Sequence, residues 1–374
     1  MIKVAIVTWT KWNNYGTILQ SYALYKFISN IGYDVKVLDD RYITSTKCVE
    51  EFGRTTPWDY FKNKIKSYLK YKNGFEKLNN NRERQCDKEK RRIIKYHLKN
   101  VRYESLHKLN NEFDIFICGS DQIWTPNNVF FDPYYFLGFV NKRKISYAPS
   151  IGVSEYHNDK KEIVKSLLST FDAISVREDT GKNIIADLCR KDITVCIDPT
   201  LLFDEESWKK DFAIETNKEE YAICYFLGEE DWYRDKTINF CNKEKIKLIS
   251  IPMFKKDLNI GDEHKFVAPS KFLELFANAK YVFTDSYHGM LFAITFHRNV
   301  FVFSRFKKND ILSQNSRIED FVKNIGLSNR YIKDDSSEIP SDSINYHYID
   351  NKINELRVHS YNYLVSALKE NKNE

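Results

Sequence analysis

Residues 3–39, KVAIVTWTKWNNYGTILQSYALYKFISNIGYDVKVLD, decide the fold of this 374-residue chain. An apolar run at 3–9 is followed at 17–31 by apolar side chains that recur with helical spacing. Gly32 predicts the end of this helix, and the alternation at 33–39 predicts a second strand. A strand, a helix and a strand in so short a stretch form a β-α-β unit, which implies a parallel sheet.

The same alternation continues along the chain in two series. The first has strand-like runs at 113–118, 144–148, 173–177 and 193–197, and the second has them at 221–227, 247–252, 280–284 and 300–303. Helical patterns separate the strands. The predicted fold class is therefore α/β, with a Rossmann-like domain at 1–204, a second at 205–349, and a closing helix and tail at 350–374.

Composition excludes several classes of protein. With 42% hydrophobic residues, 12 Gly and 8 Pro, the chain is neither disordered nor collagen-like. No apolar run approaches the roughly 18–20 residues of a membrane helix, and residues 1–12 are interpreted as a first strand, not a signal peptide. The seven cysteines include no CxxC pair, so we expect reduced thiols of a cytoplasmic protein and no metal site.

Positive charge is concentrated in one segment. Residues 61–108 contain 16 Lys and Arg against 5 Asp and Glu, although the net charge of the whole chain is only +6. Helical spacing predicts two or three basic helices, inserted at about 55–110 of the first domain, with a loop at Asn79–Asn80–Asn81. They are either solvated helix faces or a surface that binds an anionic membrane. No DNA- or RNA-binding motif is present, so nucleic acid is not an expected partner.

Ligands of parallel α/β sheets bind beyond the carboxyl ends of the strands, so candidate site residues are sought there. After the first strand, Asn14 and Gly16 open a helix, where free N–H groups favour an anion or a polar ligand. The alternative is an ordinary turn with an asparagine helix cap.

The run after 113–118 suits sugar recognition. Asp121 can accept hydrogen bonds from hydroxyl groups, and the indole of Trp124 can stack on a pyranose. Gly119, Ser120 and Gln122 complete this candidate sugar site. Alternatively, Ser120 or Asp121 caps a helix and Trp124 belongs to the core.

Arg177 follows the strand at 173–177 and could form a bidentate clamp on a carboxylate or phosphate. A local pair with Glu178 or Asp179 is the alternative. The run Ile197-Asp198-Pro199-Thr200 is expected to be a turn that ends a strand.

The stretch Thr284-Asp285-Ser286-Tyr287-His288-Gly289 is the most informative one. His288 stands at the start of a helix just past a buried strand, and an imidazole of ordinary pKa, about 6.5, suits proton transfer. A structural histidine is the alternative. Arg305, Lys307 and Lys308 follow the last strong strand and either bind an anion or form a solvated basic turn.

Six motifs, in order, carry a resemblance to a known family: NNYGTILQSYAL, FICGSDQIW, KISYAPSIG, ISVRED, IDPTLL and FTDSYHGMLFAI. They resemble the polysaccharide pyruvyl transferase family across residues 3–305. The resemblance implies a GT-B-like fold, in which two Rossmann-like domains face a cleft, with the acceptor on the N-terminal side and the donor on the C-terminal side. It also implies transfer of a pyruvyl group from phosphoenolpyruvate to a sugar, as a cyclic ketal, in capsular, exopolysaccharide or cell-wall glycan synthesis.

The family's functional residues carry over one by one. His288 matches its essential histidine, Arg177 matches the arginine of its ISVRE-like motif, and Lys308 or Lys307 falls where a basic donor-binding residue is expected. The family commonly has arginine two residues before the histidine, where this chain has Ser286, so Arg305 or Arg298 is expected to replace that contact. His288 is then the acid/base, and Asp121 orients or deprotonates the acceptor, with Gly289 at the helix start.

Further expectations follow from the resemblance. Phosphoenolpyruvate is a donor substrate, so no cofactor is expected, and the acceptor is a glycan or a lipid-linked saccharide. An enzyme that meets a lipid-linked acceptor would work in the cytoplasm at the inner face of the plasma membrane. A glycosyltransferase that uses a nucleotide sugar and a non-catalytic carbohydrate-binding protein are the alternatives. The sequence indicates no oligomeric state.

Overall fold

The computed structural model describes residues 1–44, 74–97, 101–126, 131–153, 156, 158–189, 191–217, 219–307 and 314–369. The described residues form two compact units. The first unit comprises Met1–Gly74, Lys90–Leu202 and Leu356–Glu374, and the second comprises Phe75–Glu89 and Phe203–Glu355.

The first unit is built on a parallel sheet. Its strands are β1 (Lys3–Val7), β2 (Asp34–Leu38), β4 (Tyr96–His97), β6 (Ile115–Cys118) and β7 (Arg143–Ser146), in the order β4-β2-β1-β6-β7. The strands β8 (Ile174–Val176) and β9 (Ile193–Val195) pair with each other, and a bridge from Ile145 to Ala173 continues the sheet from β7 to β8. The short strands β3 (Ile43–Thr44) and β5 (Val101–Arg102) form a separate pair.

The second unit contains a six-stranded parallel sheet. Its strands are β10 (Tyr221–Tyr225), β11 (Lys247–Ser250), β12 (Glu263–His264), β13 (Tyr281–Thr284), β14 (Asn299–Phe303) and β15 (Tyr331–Ile332). They are ordered β12-β11-β10-β13-β14-β15. Burial on both faces explains the nearly continuous apolar sequence of the central strands.

Helices follow most strands of both sheets, as expected for parallel pairing. They are α1 (Tyr15–Asn30), α2 (Phe75–Ile93), α3 (Asn158–Ser169), α4 (Asp179–Cys189), α5 (Glu205–Phe212), α6 (Trp232–Glu244), α7 (Pro269–Asn278), α8 (Tyr287–Thr295), α9 (Ser316–Asn324) and α10 (Tyr346–Leu368). Near the turn that follows α1, Gly32 has a φ of 98°, a conformation that glycine adopts without steric strain.

The fold class predicted from the sequence, α/β with two Rossmann-like parallel-sheet domains, is confirmed by these two sheets. The division between the units lies at Leu202 and Phe203, and the sequence predicts a domain boundary at 204. Residues 75–89 group with the second unit, whereas the sequence analysis assigned them to an insertion in the first domain.

The basic segment differs from its prediction where the structure describes it. The loop expected at Asn79–Asn80–Asn81 is wrong, because these residues lie inside α2, whose helix runs unbroken to Ile93. The stretch expected to continue as a basic helix instead contains β4, β5 and a 3-10 helix at Tyr103–Asn111. The parts of the predicted basic helices at 55–73 and 98–100 lie outside the described residues.

Two whole-chain expectations can be compared with the described residues alone. Within them, no helix is both long and apolar enough to cross a bilayer. Cys86, Cys118, Cys189, Cys196, Cys224 and Cys241 are free thiols. Burial raises the pKa of Cys196 and of Cys224 to about 12, so both thiols stay protonated at neutral pH.

Candidate functional site

The carboxyl ends of four strands lie side by side in the first unit. The N–H of Ser150 donates to the carbonyl of Asp121 at 2.7 Å, and the N–H of Arg177 donates to the carbonyl of Pro149 at 3.2 Å. These bonds extend the pairing of β6, β7 and β8 past the strands. The segments that follow them, together with the one after β9, therefore form the edge at which parallel sheets bind ligands.

Asp121 has a strained backbone at this edge. Its φ is 85°, which is rare for a residue other than glycine and is found mostly in asparagine and aspartate. Its carboxylate accepts hydrogen bonds from the hydroxyl of Thr17 at 2.6 Å and from the N–H of Gln122 at 2.8 Å. The side chain is thus fixed in one orientation by a residue of α1, which the sequence analysis did not single out.

Arg177 forms a buried ion pair. Its Nη1 lies 2.8 Å from Oδ2 of Asp198, and both side chains are fully buried. The same Asp198 oxygen accepts a hydrogen bond from the hydroxyl of Ser120 at 3.2 Å, while Oδ1 accepts from the N–H and hydroxyl of Thr200. The carboxylate after β9 therefore connects the segments that follow β6 and β8.

The sequence alone predicts Asp198 only in a turn, and it predicts that Arg177 either clamps a substrate or pairs with Glu178 or Asp179. Asp198 is instead the principal partner of Arg177, and Glu178 is more distant at 3.9 Å. The position of an acidic residue directly after a strand was the signal that could have identified Asp198. A substrate contact of Arg177 stays a prediction.

Glu178 stabilises the segment after β7. Its Oε1 accepts hydrogen bonds from the hydroxyl of Ser150 and the N–H of Ile151, both at 2.9 Å, and from the N–H of Gly152 at 3.3 Å. The side-chain amide of Gln122 packs over Gly152, where a Cβ atom would approach Nε2 to 2.3 Å. Gln122 is thus held at the edge by a glycine of positive φ, 72°.

The start of α1 is an asparagine cap. The side-chain oxygen of Asn14 accepts from the N–H groups of Gly16, at 2.9 Å, and Thr17, at 3.3 Å. These two donors are therefore used within the chain, as in the capping alternative. Gly119 is buried, and an added Cβ would come within 3.3 Å of Ile6 and Thr8, so close packing accounts for this glycine.

Trp124 belongs to the core, and its predicted role as a sugar-stacking surface is wrong. The side chain is fully buried, its indole stacks on Phe136 at 5.2 Å, and Phe171 packs against it edge-on at 5.7 Å. The indole N–H donates to the carbonyl of Tyr135 at 3.2 Å. With the side chain fully buried and its polar atom hydrogen-bonded, the ring has no face left for a ligand.

In the second unit, the segment after β13 begins α8. The hydroxyl oxygen of Ser286 accepts from the N–H of Gly289 at 3.2 Å, which makes Ser286 the helix cap. His288 lies in the first turn, 7% exposed, with its ring edge-on to Tyr287. Gly289 is required by close approach, because an added Cβ would lie 2.6 Å from the hydroxyl oxygen of Thr284.

Asp285 joins three strand ends and was missed by the sequence analysis as a site residue. Its fully buried carboxylate accepts from the N–H groups of Leu227, at 2.6 Å, and Gly228, at 2.7 Å, which follow β10. Nε of Arg305, after β14, lies 3.2 Å from the carboxylate, and Nη2 donates to the Asp285 carbonyl at 2.8 Å. Burial, and then the charge of Asp285, raise the pKa of Tyr233, which remains a neutral donor.

The two arginines expected to replace the contact missing at Ser286 lie at opposite ends of β14. Arg305 lies beyond the carboxyl end of β14 and is hydrogen-bonded to Asp285, the residue before Ser286. Arg298 lies at the opposite end of β14, where its Nη1 donates to the carbonyl of Ala279. Lys307 is exposed on the Arg305 side, and Lys308 lies outside the described residues.

Within the described ranges, no three or more His, Cys, Asp or Glu side chains are grouped so as to hold a metal ion. The chemistry of the two edges is instead that of hydrogen-bonded carboxylates, a histidine and arginines. Such groups can bind anions, orient hydroxyl groups and transfer protons.

The sequence profile described as polysaccharide pyruvyl transferase matches residues 14–305, more than half of the chain. This chain belongs to the polysaccharide pyruvyl transferase family. The resemblance seen in the ordered motifs is thereby confirmed, and the protein is a transferase enzyme. The matched range includes both the Asp121 edge and the Asp285 edge.

Similar solved structures include two UDP-GlcNAc 2-epimerases and a glycosyltransferase. UDP-GlcNAc 2-epimerase from Neisseria meningitidis is 11% identical, with 99% of this chain and 95% of that chain covered, at a TM-score of 0.45. The Methanocaldococcus jannaschii UDP-GlcNAc 2-epimerase is 11% identical over 94% and 92%, at 0.46. A Rickettsia africae glycosyltransferase is 9% identical over 97% and 94%, also at 0.46. Among curated proteins, no sequence matches this chain.

Proposed function

We propose that this enzyme transfers the pyruvyl group of phosphoenolpyruvate to two hydroxyl groups of a sugar, as a ketal, in the synthesis of a capsular, extracellular or cell-wall glycan. The observation that carries the proposal is the family match over residues 14–305, which includes Asp121, Arg177, His288 and Arg305. Arg305, a cation that pairs with Asp285 just before α8, supports an anionic donor.

The donor is assigned to the edge of the second unit. Asp285 engages Nε and Nη2 of Arg305, and within the described residues Nη1 of Arg305 makes no hydrogen bond. A guanidinium that is fixed on one side can bind a carboxylate or phosphate with the other. The first turn of α8, which carries His288, adds the partial positive charge of a helix N-terminus.

The proposed reaction balances with the groups of the two substrates. A proton reaches the methylene carbon of the enol, one sugar oxygen bonds to the neighbouring carbon, the carbon–oxygen bond to phosphate breaks, and the second sugar oxygen then bonds to the same carbon. The two sugar hydroxyl groups lose one proton each. One of these balances the proton that the new methyl group gains, and the other leaves with inorganic phosphate. His288 is proposed to handle the proton of the methyl group.

Asp121 is proposed to orient or deprotonate the acceptor hydroxyl. We expect Asp121→Asn to lower kcat about 100-fold or more, because an amide cannot take the proton. Asparagine tolerates the φ of 85°, its one side-chain oxygen can accept from the N–H of Gln122, and its amide can donate to the hydroxyl of Thr17, so this variant separates chemistry from folding better than alanine does. Asp121→Gly, which relieves the backbone strain, should fold and be equally impaired. A normal kcat in both variants would return Asp121 to a capping role.

The proposed function is tested by ligand-induced stabilisation and by product formation. Phosphoenolpyruvate should raise the melting temperature, because a ligand that binds only the folded state stabilises it. Inorganic phosphate should then be released from phosphoenolpyruvate only when a saccharide is added. Stabilisation by a nucleotide sugar instead would favour a glycosyltransferase, and stabilisation by neither would favour a non-catalytic carbohydrate-binding protein.

The membrane partner of the basic segment stays a prediction. Of residues 61–108, the structure describes 74–97 and 101–108. One described lysine, Lys90, is 1% exposed and serves the interior of the first unit. A lipid-linked saccharide acceptor and a position at the inner face of the plasma membrane are likewise proposals.

A further inference from the structure

A large aromatic side chain is exposed at the carboxyl edge of the first sheet. Trp12 lies between β1 and α1, two residues before the cap Asn14, and is 43% exposed. The other tryptophan considered for sugar binding, Trp124, is fully buried. Burying a tryptophan removes a large apolar area from water, so its exposure beside a candidate site calls for an explanation.

The segment that carries Trp12 is held in place by buried polar groups on both sides. The hydroxyl of Thr10 lies 2.9 Å from Oδ1 of Asp39 and 2.7 Å from Oδ1 of Asp40, and it accepts from the N–H of Asp40. The ammonium of Lys90 donates to the carbonyl of Thr10 at 2.8 Å. Residues close to Trp12 on its N-terminal side are therefore fixed to α2 and to the segment that follows β2.

On the C-terminal side, Lys90 also donates to the side-chain oxygen of Asn13 at 2.7 Å. Its side chain is almost completely buried, and a buried ammonium is unfavourable unless it is hydrogen-bonded. Loss of the loop conformation would remove these acceptors from Lys90. The conformation that exposes Trp12 is thus stabilised from within the first unit.

The carboxylate of Asp39 accepts a hydrogen bond from Thr10, so its charge decides the pH at which binding should be measured. Burial by itself raises the pKa of Asp39. The hydrogen bonds and charge of Arg41, together with a hydrogen bond from Thr10, outweigh burial, so the pKa of Asp39 lies below its ordinary value. The stabilisation is therefore complete above the ordinary carboxyl pKa and is lost as the pH falls through the lowered value. Measurements at pH 7 keep the support intact.

The Trp12 segment is also joined to the segment of Asp121. The hydroxyl of Thr8, before Trp12, donates to the carbonyl of Ser120 at 2.7 Å. The hydroxyl of Thr17, after Trp12, donates to the carboxylate of Asp121 at 2.6 Å. Hydrogen bonds on both sides of Trp12 therefore lead to the residues proposed to bind and activate the acceptor.

We infer that Trp12 is the aromatic surface on which a pyranose ring of the acceptor stacks. This inference rests on the proposed function, since it identifies the acceptor as a pyranoside that reaches Asp121. The C–H groups of a pyranose face can pack on an exposed indole, and its hydroxyl groups remain available to the polar edge. The ammonium of Lys11, 5.1 Å from the ring centroid, lies over the indole and can donate to the same sugar.

Binding is tested first, without any donor. Uniformly ¹⁵N-labelled protein at pH 7 is titrated with the methyl α- and β-pyranosides of glucose, galactose and mannose, and the indole N–H signal of Trp12 is assigned by its loss in Trp12→Phe. At least one glycoside should shift this signal while those of the buried Trp124 and Trp208 stay unchanged. An unmoved Trp12 signal with all six glycosides would overturn the inference, whether or not phosphoenolpyruvate is a substrate.

Turnover provides the second test. With the saccharide that supports phosphate release, Trp12→Ala should raise the acceptor KM about tenfold, a loss of about 1.4 kcal/mol, and Trp12→Phe should raise it less. The KM for phosphoenolpyruvate should stay within about twofold in both variants. Tyr348→Ala, which removes another exposed aromatic, is the matched control and should change neither KM. An unchanged acceptor KM in Trp12→Ala would refute the assignment.

Discussion

Replacing His288 by asparagine is expected to lower kcat by about 10²–10⁴-fold, the usual contribution of a positioned acid or base. The side chain lies in the first turn of α8, beyond β13 and beside the Arg305 edge proposed to bind the donor. Asparagine keeps a hydrogen-bonding group but cannot exchange a proton near neutral pH. His288→Ala should be at least as impaired. The measurement is saccharide-dependent phosphate release from phosphoenolpyruvate.

His347→Asn is the matched control, because His347 is exposed in the first turn of α10, within the second unit. We expect it to retain normal kcat. The thermal unfolding of His288→Asn is followed in parallel, so that a loss of folded protein is not mistaken for a loss of catalysis. A folded His288→Asn enzyme with near-normal kcat would remove His288 from the chemistry.

Asp198→Ala is expected to lower the free energy of unfolding by about 3–5 kcal/mol, since it leaves the buried guanidinium of Arg177 without its carboxylate. Both side chains of this pair are fully buried, 2.8 Å apart. The variant also removes the acceptor used by Ser120 and Thr200. Equilibrium urea unfolding of the whole chain measures the change.

Glu112→Gln is a matched control in the same unit. Glu112 pairs with His97 at 3.2 Å, but its side chain is 38% exposed, and a pair in contact with water should contribute less than about 1 kcal/mol. If Asp198→Ala were no more destabilising than Glu112→Gln, the Arg177–Asp198 pair would not be an important support of the sheet edge.

The same variant examines the predicted substrate contact of Arg177. If Arg177 can reach the donor, then in the absence of Asp198 it should bind the carboxylate or phosphate of phosphoenolpyruvate instead. Phosphoenolpyruvate would then raise the melting temperature of Asp198→Ala by more than that of the unaltered protein. An equal or smaller rise would indicate that Arg177 supports the edge from within and does not contact the donor.

Much of this architecture could be predicted because it depends on neighbours in sequence. The run of apolar residues in β13, the helical spacing in α1 and the glycine at position 32 each act over a few residues. The same holds for Asn14 and Ser286, whose caps are formed by groups two or three residues away. The secondary structure of the basic segment was harder to predict, because a run of polar residues such as 79–81 fits either a loop or an exposed helix.

The sequence predicted where the candidate site residues lie along the strands, but it did not predict which residues they contact. Strand-end motifs directed attention to Asp121, Arg177 and His288, and each of them lies after the carboxyl end of a strand, where parallel sheets bind ligands. Nothing in the neighbouring residues indicated that Asp285 would hold Arg305. That contact depends on β10, β13 and β14 being adjacent in the sheet.

The sequence by itself determined the α/β class, the β-α-β periodicity and the family, because these are properties of ordered local patterns. Only the tertiary structure decided that Trp124 is covered by aromatic rings and that Trp12 is exposed. Likewise, it decided that Asp198 neutralises Arg177 across 21 positions and that Thr17 orients Asp121 across 104. Burial and ion pairing are set by which chain segments pack together, and a pattern of neighbouring residues does not specify those distant partners.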